Sequence, residues 1–349
     1  MDGHKKILLF LGAGTGVPIG LPTSTGFNDE VRAQPLAAVT QHAIRYLGGT
    51  ESEDIERILA TLESFQTDVS LTEFLLPNLV AGLPQTPPTM QSHLQNQLAN
   101  FKGQALSEVM RIKKILFQKL NVYDPGKAST LYRGIFSELK DHYKDFALSV
   151  ITTNYDLTFE SVIEDPKSDW KSYGIKDFEF GFSVKYGRPI FDPDRDFSWR
   201  ADTVEFLKVH GSLDWHRDAQ DRCSRSMSKT VPDNPNQMAI LYPGFKGVPQ
   251  TEPFSTLHGR LNQRLAEADI VIVVGFAFRD SYINSIFENV LRLRKDSIQL
   301  FYLNPLPLDK HPKESMAPHF ASRHSGFVVV KKGIEATATP LGLAAFPSS

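Results

Sequence analysis

Five short apolar runs, each bounded by polar residues or glycine, constrain the fold of this chain more than any other feature of the sequence. They lie at 7–11, 146–151, 270–274, 297–303 and 327–330. Runs of this length without polar alternation are typical of strands that are buried on both faces of a parallel sheet. With helical stretches between them, they predict a Rossmann-like, doubly wound α/β fold with a mainly parallel sheet.

More than a hundred residues separate the first two runs, which is far more than a single crossover helix requires. Within this stretch, apolar residues recur at helical spacing over 54–65, over about 104–120 and from residue 129 onward, as expected for amphipathic helices. We therefore predict a discontinuous Rossmann-like domain at 1–28 and 145–335, and a large helical insertion at 29–144 that acts as a lid. The small residues and prolines of 336–349 predict a flexible tail.

The composition is that of an ordinary globular protein and excludes several functional classes. The 349 residues carry a formal net charge of −2, so no direct contact with nucleic acid is indicated. No run approaches the ~18 apolar residues that a membrane span requires. Cys223 is the only cysteine, which excludes an internal disulfide and four-cysteine zinc sites and fits a reducing cytoplasm. The histidines and carboxylates also lack common metal-ligand spacings, so we expect a cytoplasmic protein that binds no metal.

A glycine-rich segment, Gly12-Ala13-Gly14-Thr15-Gly16, follows the first predicted strand. Glycines let a backbone approach a ligand closely, and amides at the beginning of the next helix can bind a pyrophosphate. The segment is not a Walker loop, because no Gly-Lys-Ser/Thr follows. It also departs from the standard dinucleotide fingerprint, because Val17 replaces the third glycine. It predicts a phosphate site, with a tight turn that binds no ligand as the alternative.

A polar segment, Thr152-Thr153-Asn154-Tyr155-Asp156, follows the second predicted strand. Ligands of open α/β sheets bind at the carboxyl ends of strands. An amide and a carboxylate at that position are suited to hold ribose hydroxyls and a carboxamide. The alternative is that these residue types only cap the helix that begins near Leu157.

A histidine stands at the end of a further apolar run at 204–209. His210 is followed directly by Gly211. An imidazole titrates near neutral pH, so it can accept a proton from water or from a ribose hydroxyl. The other nine histidines have no comparable setting in the sequence, and for them we expect a structural role.

Two more strand ends carry small or amide residues. Gly275 and Phe276 follow the run at 270–274, and Asn304 follows the run at 297–303. We expect Gly275 and Phe276 to line the adenosine side of a dinucleotide and Asn304 to hydrogen-bond a ribose. Both are generic features of sheet ends, so a purely structural role is the alternative.

Together and in this order, the segments resemble motifs of the sirtuin-like superfamily, specifically of its zinc-less, bacterial defence-associated NAD-hydrolase branch. Gly12-Ala13-Gly14-Thr15 and Gly20-Leu21-Pro22 resemble Gly-Ala-Gly-x-Ser and Gly-Ile-Pro, Thr153-Asn154-Tyr155-Asp156 resembles Gln-Asn-Ile-Asp, and His210-Gly211 resembles the catalytic His-Gly. Asp54-Ile55-Glu56, the segment from Gly275 to Asp280, and Asn304 resemble further marks of the same branch.

The resemblance implies an NAD+ glycohydrolase that uses NAD as its substrate and releases nicotinamide and ADP-ribose. It implies that His210 is the base, that Asn154 orients the nicotinamide ribose or the attacking water, and that Asp156 contacts the carboxamide. The amides around Ala13, Gly14 and Thr15 would hold the phosphates. The dinucleotide-binding residues expected on this basis are Gly12, Ala13, Gly14, Thr15, Thr153, Gly275, Phe276 and Asn304.

One departure from the superfamily favours hydrolysis over protein deacylation. The deacetylases bind zinc through two Cys-x-x-Cys pairs, which a chain with Cys223 alone cannot supply. Their acyl-lysine groove lies beside that zinc module, so water is the favoured acceptor here. An NAD-dependent protein deacylase and a non-catalytic NAD or ADP-ribose sensor that gates a partner are the two alternatives.

The resemblance also implies a biological role and partners. Members of this branch act as effectors of antiphage defence that deplete the cell's NAD, a form of abortive infection, and they commonly form oligomers. We therefore expect a homo-oligomer that a separate chain activates, either a HerA-type ATPase or a phage protein.

Overall fold

The computed structural model describes residues 4–34, 37–47, 54–64, 88–185, 187–195, 198–226, 237–242, 249–311 and 313–346. Contacts divide the chain into two compact units. The first contains the described residues of 1–23, 119–230 and 237–349, and the second contains those of 24–118.

The strands of the described residues are β1 (Lys5–Leu11), β2 (Phe146–Thr152), β3 (Asp177–Glu179), β4 (Phe182–Lys185), β5 (Arg188–Phe191), β6 (Thr203–Lys208), β7 (Gly211–Arg217), β8 (Cys223–Arg225), β9 (Met238–Ile240), β10 (Ile270–Val274), β11 (Gln299–Leu303) and β12 (Phe327–Val330). The helices are α1 (Ser24–Arg32), α2 (Ala38–Tyr46), α3 (55–64), α4 (Pro88–Leu120), α5 (Pro125–His142), α6 (Thr158–Ile163), α7 (Phe254–Glu267), α8 (Ser281–Arg294) and α9 (Ala317–Arg323). Short 3-10 turns include Ala13–Ile19, directly after β1.

Seven of the described strands form one parallel sheet in the order β12-β11-β10-β1-β2-β6-β3. The five apolar runs predicted as strands all lie in this sheet. β1 shows why they read as continuous apolar runs: Leu8 and Phe10 belong to the core on one face, and Ile7 and Leu9 belong to the core on the other. Because helices cover both faces, residues 7–11 are buried at every position, whereas the edge strand β12 is half-buried beyond Phe327. The predicted Rossmann-like, doubly wound α/β class is confirmed.

The direction in which the chain adds strands reverses at β1. From β1 the chain continues to β2 on one side, and β10 is added later on the other side. Ligands of open α/β sheets bind at such a switch point, outside the carboxyl ends of the strands. The loops after β1 and β10 meet there backbone to backbone, since a Cβ atom on Gly12 would lie 2.6 Å from the carbonyl oxygen of Gly275.

A second, antiparallel sheet with the order β4-β5-β8-β7-β9 packs in the same unit. The sequence predicts small strands in an irregular stretch at 165–206, where β4 and β5 lie, and an exposed loop at 217–237, where the structure has β8. Such short strands leave little pattern, because their pairing is set by tertiary contacts. β7 begins at Gly211, directly after His210. Gly211 has a φ of 86°, and a Cβ atom on it would lie 2.0 Å from the carbonyl oxygen of Ala239 on the next strand. The glycine after the histidine is therefore required by the turn into this sheet.

The second unit is helical and has its own apolar core. Ile55, Ile58 and Leu59 of α3 are fully buried, as are Val109 and Ile112 of α4. One buried position in this unit is charged: Lys113 of α4 is buried, and its ammonium lies 2.7 Å from Oε1 of Glu63. α5 packs in the first unit, whereas the boundaries expected from the sequence place it in the helical insertion.

The segment after β12 packs on the first unit. Leu341 and Leu343 are fully buried, and their amides donate to the Glu138 carboxylate of α5 at 2.7 and 2.5 Å. Phe346 lies against Phe301 of β11, with ring centroids 4.3 Å apart. Part of the segment expected to be a flexible tail is thus packed, through acceptors on a distant helix that no local pattern reveals.

In the part of the chain that the structure describes, no helix combines the length and the apolar character needed to cross a bilayer.

The contact between the loops after β1 and β10 generates a prediction. In Gly12→Ala, the new methyl group meets the backbone of Gly275 and Phe276, which cannot move aside like a flexible side chain. We expect a loss of about 1–3 kcal/mol in the free energy of unfolding, measured by denaturant titration, as for other overpacked sites.

The matched control is Gly259→Ala, in α7. A Cβ atom on Gly259 would meet no atom within 4 Å beyond the adjoining backbone of its own helix. Alanine is favoured over glycine inside helices by up to about 1 kcal/mol, so this variant should be as stable as the wild type or more so. Equal stability of the two variants would contradict the close approach.

Candidate active site

Hydrogen bonds between strand ends bring the three predicted segments to one edge of the sheet. The amide of Gly12 donates to the carbonyl of Val274 at 2.9 Å, and that of Thr153 donates to Leu11 at 3.1 Å. The amide of Val209 donates to Thr152 at 3.0 Å. The backbone hydrogen bonds of the parallel sheet thus continue beyond the ends of β10, β1, β2 and β6. The loops that follow these four strands therefore begin side by side.

Register places Asn154 and His210 level with each other. Thr152 of β2 pairs with Lys208 of β6, and Asn154 and His210 each stand two positions beyond their member of this pair. Neighbouring strands lie about 4.8 Å apart, so the two backbones leave the sheet as immediate neighbours.

The side-chain oxygen of Asn154 is buried and has no hydrogen-bond partner among the described residues. The backbone amide of the same residue is fixed by the Thr152 hydroxyl, 3.0 Å away. Leaving a buried carbonyl oxygen unpaired costs about 1–3 kcal/mol, and in native structures a water, an ion or a ligand is one source of the missing partner. Asn154 therefore offers an acceptor to a ligand hydroxyl, amide or water.

His210 is 2% exposed, and its Nε2 lies 3.3 Å from Oδ2 of Asp280. Asp280 comes from the loop after β10, and its other carboxylate oxygen accepts from the amide of Ile283 at 2.8 Å, which caps α8. Burial alone would raise the pKa of Asp280. The hydrogen bond and charge of His210 and the Ile283 amide outweigh burial, so the pKa lies below its usual value.

A second histidine packs against the first. The rings of His258 and His210 stack with centroids 6.1 Å apart. Burial and the neighbouring His210 lower the pKa of His258 to about 4, so it is neutral at physiological pH. Its Nδ1 lies 2.8 Å from the carbonyl oxygen of Phe254, which requires the proton on Nδ1. The backbone contact is the structural role expected for the other histidines, and the packing of His258 against His210 is an addition that the sequence did not indicate.

Two buried ion pairs fix the elements that carry these residues. Lys208 reaches back to the loop that holds Asn154: its ammonium donates to the carbonyls of Tyr155 (3.3 Å) and Asp156 and lies 2.8 Å from Oε1 of Glu160 in α6. Arg264 of α7 pairs with Glu205 of β6 at 2.6 Å. Removing one partner of such a pair leaves a buried charge unmatched and costs about 3–5 kcal/mol.

The carboxylate of Asp156 is bonded at the beginning of α6. It accepts from the amide of Thr158 at 3.0 Å and from the hydroxyl of the same residue. These contacts hold the turn that precedes the N-cap residue Leu157 and are close to the capping role given as the alternative for this segment. The assignment of Asp156 to a ligand carboxamide stays a prediction.

The glycine-rich segment uses some of its own amides. Gly14 donates to the carbonyl of Gly275 and Thr15 donates to that of Gly12, both at 2.9 Å. The Thr15 hydroxyl is buried and donates to Val274 at 3.2 Å. Two of the three amides assigned to phosphate binding thus have partners within the protein, and the glycines are explained in part by packing of loop on loop.

The remaining predicted residues lie at the same edge in different settings. Thr153 is half-buried and leaves the sheet between Gly12 and His210. The ring of Phe276 belongs to the core and packs edge-on against Phe10, with centroids 5.0 Å apart. The Asn304 side chain spans its own turn, donating to the hydroxyl of Tyr302 at 2.6 Å and accepting from the amide of Leu306 at 2.8 Å.

Sequence reasoning missed Asp280 and His258 as neighbours of His210. Asp280 follows the strongest apolar run and precedes a helix, a position that signals an N-cap and no more. His258 stands inside an amphipathic helix, where one histidine carries no signal. Within the described residues, no cluster of three or more histidine, cysteine or acidic residues is arranged to hold a metal ion.

The low pKa of His258 generates a prediction about acid stability. The unfolded chain takes up a proton on this residue below about pH 6.5, whereas the folded protein resists protonation down to about pH 4. Stability is therefore lost as the pH falls through this window, by about 2 kcal/mol between pH 7 and pH 5. His258→Asn can still donate to the carbonyl of Phe254. Between pH 7 and pH 5 its free energy of unfolding should therefore fall by about 2 kcal/mol less than that of the wild type.

The measurement is denaturant unfolding of both proteins at pH 7 and pH 5. Carboxylates titrate equally in both, so their contribution cancels in the difference. Parallel losses of stability would contradict a buried, neutral His258.

Comparison with known proteins places this chain in a family. Residues 148–323, about half of the chain, match the family model described as a SIR2-like domain. The match contains Asn154, His210 and Asp280, and the glycine-rich segment lies outside it. No curated protein matches the sequence.

Among solved structures, the chain is similar to a Sir2 homologue in complex with NAD, with 14% identity, 97% of this chain and 86% of that chain covered, and a TM-score of 0.44. It is also similar to a Sir2-homologue mutant with 2′-O-acetyl ADP-ribose, with 13% identity, coverage of 97% and 88%, and a TM-score of 0.43. A Sir2-homologue mutant with ADP-ribose shows 15% identity, coverage of 90% and 86%, and a TM-score of 0.39. Because the family model spans half of the chain and contains the residues around His210, the chain belongs to the SIR2-like domain family.

Proposed function

We propose that this protein is an NAD+ glycohydrolase that releases nicotinamide and ADP-ribose. The observation that carries the proposal is the placement of Asn154 and His210 at the ends of two paired strands, with an unpartnered amide oxygen on the first and a carboxylate-linked imidazole on the second. Membership of the SIR2-like family and the sirtuin-like motifs in the sequence support NAD as the substrate.

The proposed reaction breaks the bond between the nicotinamide nitrogen and C1′ of its ribose. The bonding electron pair leaves with nicotinamide, which becomes neutral, and positive charge develops on the ribose as an oxocarbenium-like ion. Water adds to C1′, and the proton that it loses passes to His210. A positioned general base contributes about 10²–10⁴-fold to such a step.

In the proposed reaction, Asn154 orients the ribose or the attacking water. Its free oxygen accepts a hydrogen bond from a ribose hydroxyl or from the attacking water and so holds the acceptor beside the reacting carbon. Fixed dipoles that meet the substrate without rearranging are the main source of transition-state stabilisation in enzymes. The Thr152 and Lys208 contacts hold this loop before substrate arrives.

Water is the proposed acceptor because the chain lacks the ligands of the deacylase zinc module. Cys223 is buried, and burial raises the pKa of its thiol to about 12, so it does not act as an exposed thiolate. We also propose, from the sequence resemblance, a role in antiphage defence through NAD depletion, as a homo-oligomer activated by a partner such as a HerA-type ATPase.

The proposal predicts nicotinamide release from NAD by the purified protein. His210→Ala and Asn154→Ala should each lower the rate at least ~10²-fold while leaving the unfolding transition cooperative. The matched control is His324→Ala, a histidine at the amino end of β12, on the opposite edge of the sheet, which should keep the wild-type rate.

Three outcomes decide between this function and its alternatives. Equal rates for wild type, His210→Ala and Asn154→Ala would refute the assignment. Release of nicotinamide only in the presence of an acetyl-lysine peptide would identify a deacylase. Binding of NAD, measured by calorimetry, without any turnover at enzyme concentrations equal to that of NAD would identify a sensor.

A further inference from the structure

We propose that Asp280 is a positioning residue that sets the tautomer of His210, so that Nδ1 is the atom that accepts the proton from water. This inference rests on the proposed hydrolysis for its kinetic consequences. Its structural part concerns His210 alone and is tested separately.

Asp280 is held by two partners on its two carboxylate oxygens. Oδ1 accepts from the amide of Ile283 at 2.8 Å, and Oδ2 lies 3.3 Å from Nε2 of His210. The first contact is part of the N-cap of a helix of 14 residues, so the carboxylate is fixed by the backbone of α8. Both side chains are nine-tenths buried or more. The imidazole therefore meets a rigid, water-excluded acceptor.

The protonation state of this acceptor decides the position of the proton on the ring. A carboxyl group titrates well below neutral pH, and Oδ1 of Asp280 already accepts from the amide of Ile283, so Asp280 is ionised at neutral pH and can only accept. A neutral imidazole has a proton on one nitrogen and a lone pair on the other. The tautomer with Nε2–H donates to Oδ2, whereas the other tautomer would place a lone pair against a negative charge. Nδ1 is thus left with the lone pair.

Two other titratable groups face His210. His258 of α7 stacks on it and is neutral at physiological pH, and the ring of Tyr155, after β2, lies with its centroid 6.4 Å away. The Tyr155 hydroxyl donates to the carbonyl of Leu241 at 3.0 Å and is turned to that partner. Lys208, two residues before His210, is matched by Glu160. Among the described residues that face His210, Asp280 is the charged group that lies within ion-pair distance of a ring nitrogen.

Asp280→Asn tests this assignment without removing the cap. Asparagine is as good an N-cap as aspartate, and its oxygen can keep the bond to Ile283. Its NH₂ group then faces His210 as a donor, which forces the lone pair to Nε2 and the proton to Nδ1. We expect kcat for nicotinamide release to fall about 10²–10⁴-fold, while KM for NAD changes less than about threefold. Asp280→Ser keeps a cap but offers no amide donor to the ring, and should lose less activity than Asp280→Asn.

The tautomer itself is measured by nitrogen NMR of protein labelled with ¹⁵N-histidine, with His210→Gln used to assign the signal. In the wild type we expect a protonated Nε2 and an unprotonated Nδ1, and in Asp280→Asn the reverse. This readout needs neither substrate nor turnover, so it separates a failure of the inference from a failure of the proposed hydrolysis.

Either of two results overturns the inference. The first is a wild-type His210 with its proton on Nδ1. The second is Asp280→Asn with unchanged kcat in an active wild-type background. If Asp280→Asn unfolds, the wild-type spectrum still decides the matter.

Discussion

The continuation of the parallel hydrogen-bond ladder beyond the ends of the strands is the constraint on which the rest of this structure depends. Gly12 bonds to Val274, Thr153 to Leu11 and Val209 to Thr152, so loops from four strands leave the sheet at one level. Residues that are far apart in the chain then become neighbours. Parallel strands make this possible because all their carboxyl ends meet at the same edge.

The glycines at this edge are required first of all by the close packing of the loops that follow the strands. Gly12 and Gly14 let the loop after β1 approach the loop after β10, and Gly275 makes the same approach from the other side with a φ of 66°. The loop after β10 continues to Asp280, and the carboxylate of Asp280 lies beside the ring of His210, which follows β6. Packing at the switch point thus controls the path of the chain that completes the site.

The buried parallel strands could be predicted from the sequence because burial on both faces requires a continuous run of apolar residues, which is visible locally. Ile270–Val274 is apolar at every position, and no neighbouring segment is needed to recognise it. The antiparallel sheet has no such run. β8 and β9 have three residues each, and their pairing is decided by partners that are distant in sequence. Similarly, nothing in the sequence around Glu138 indicates that it is buried. Its carboxylate accepts from the amides of Leu341 and Leu343, which are distant in the chain.

The same division holds for the site. Asn154 and His210 could be proposed because each directly follows a strand and belongs to a residue type with useful chemistry. Asp280 and His258 could not be assigned to His210, because their approach depends on the path of a loop and on the seating of α7 against β6 through Arg264 and Glu205. Asn304 shows the reverse case: its position in the sequence suits a ribose contact, but its amide is bonded within its own turn.

The central claim is that the ends of β1, β2 and β6 form one site for the sugar beside the bond to be cleaved. A crystal structure of the protein with ADP-ribose tests this most directly. We predict a ribose hydroxyl or a bound water within hydrogen-bond distance of the Asn154 side-chain oxygen, with Nδ1 of His210 facing the same ribose. A ribose bound at the other edge of the sheet, or an Asn154 oxygen that remains unpaired with ADP-ribose in place, would contradict the claim.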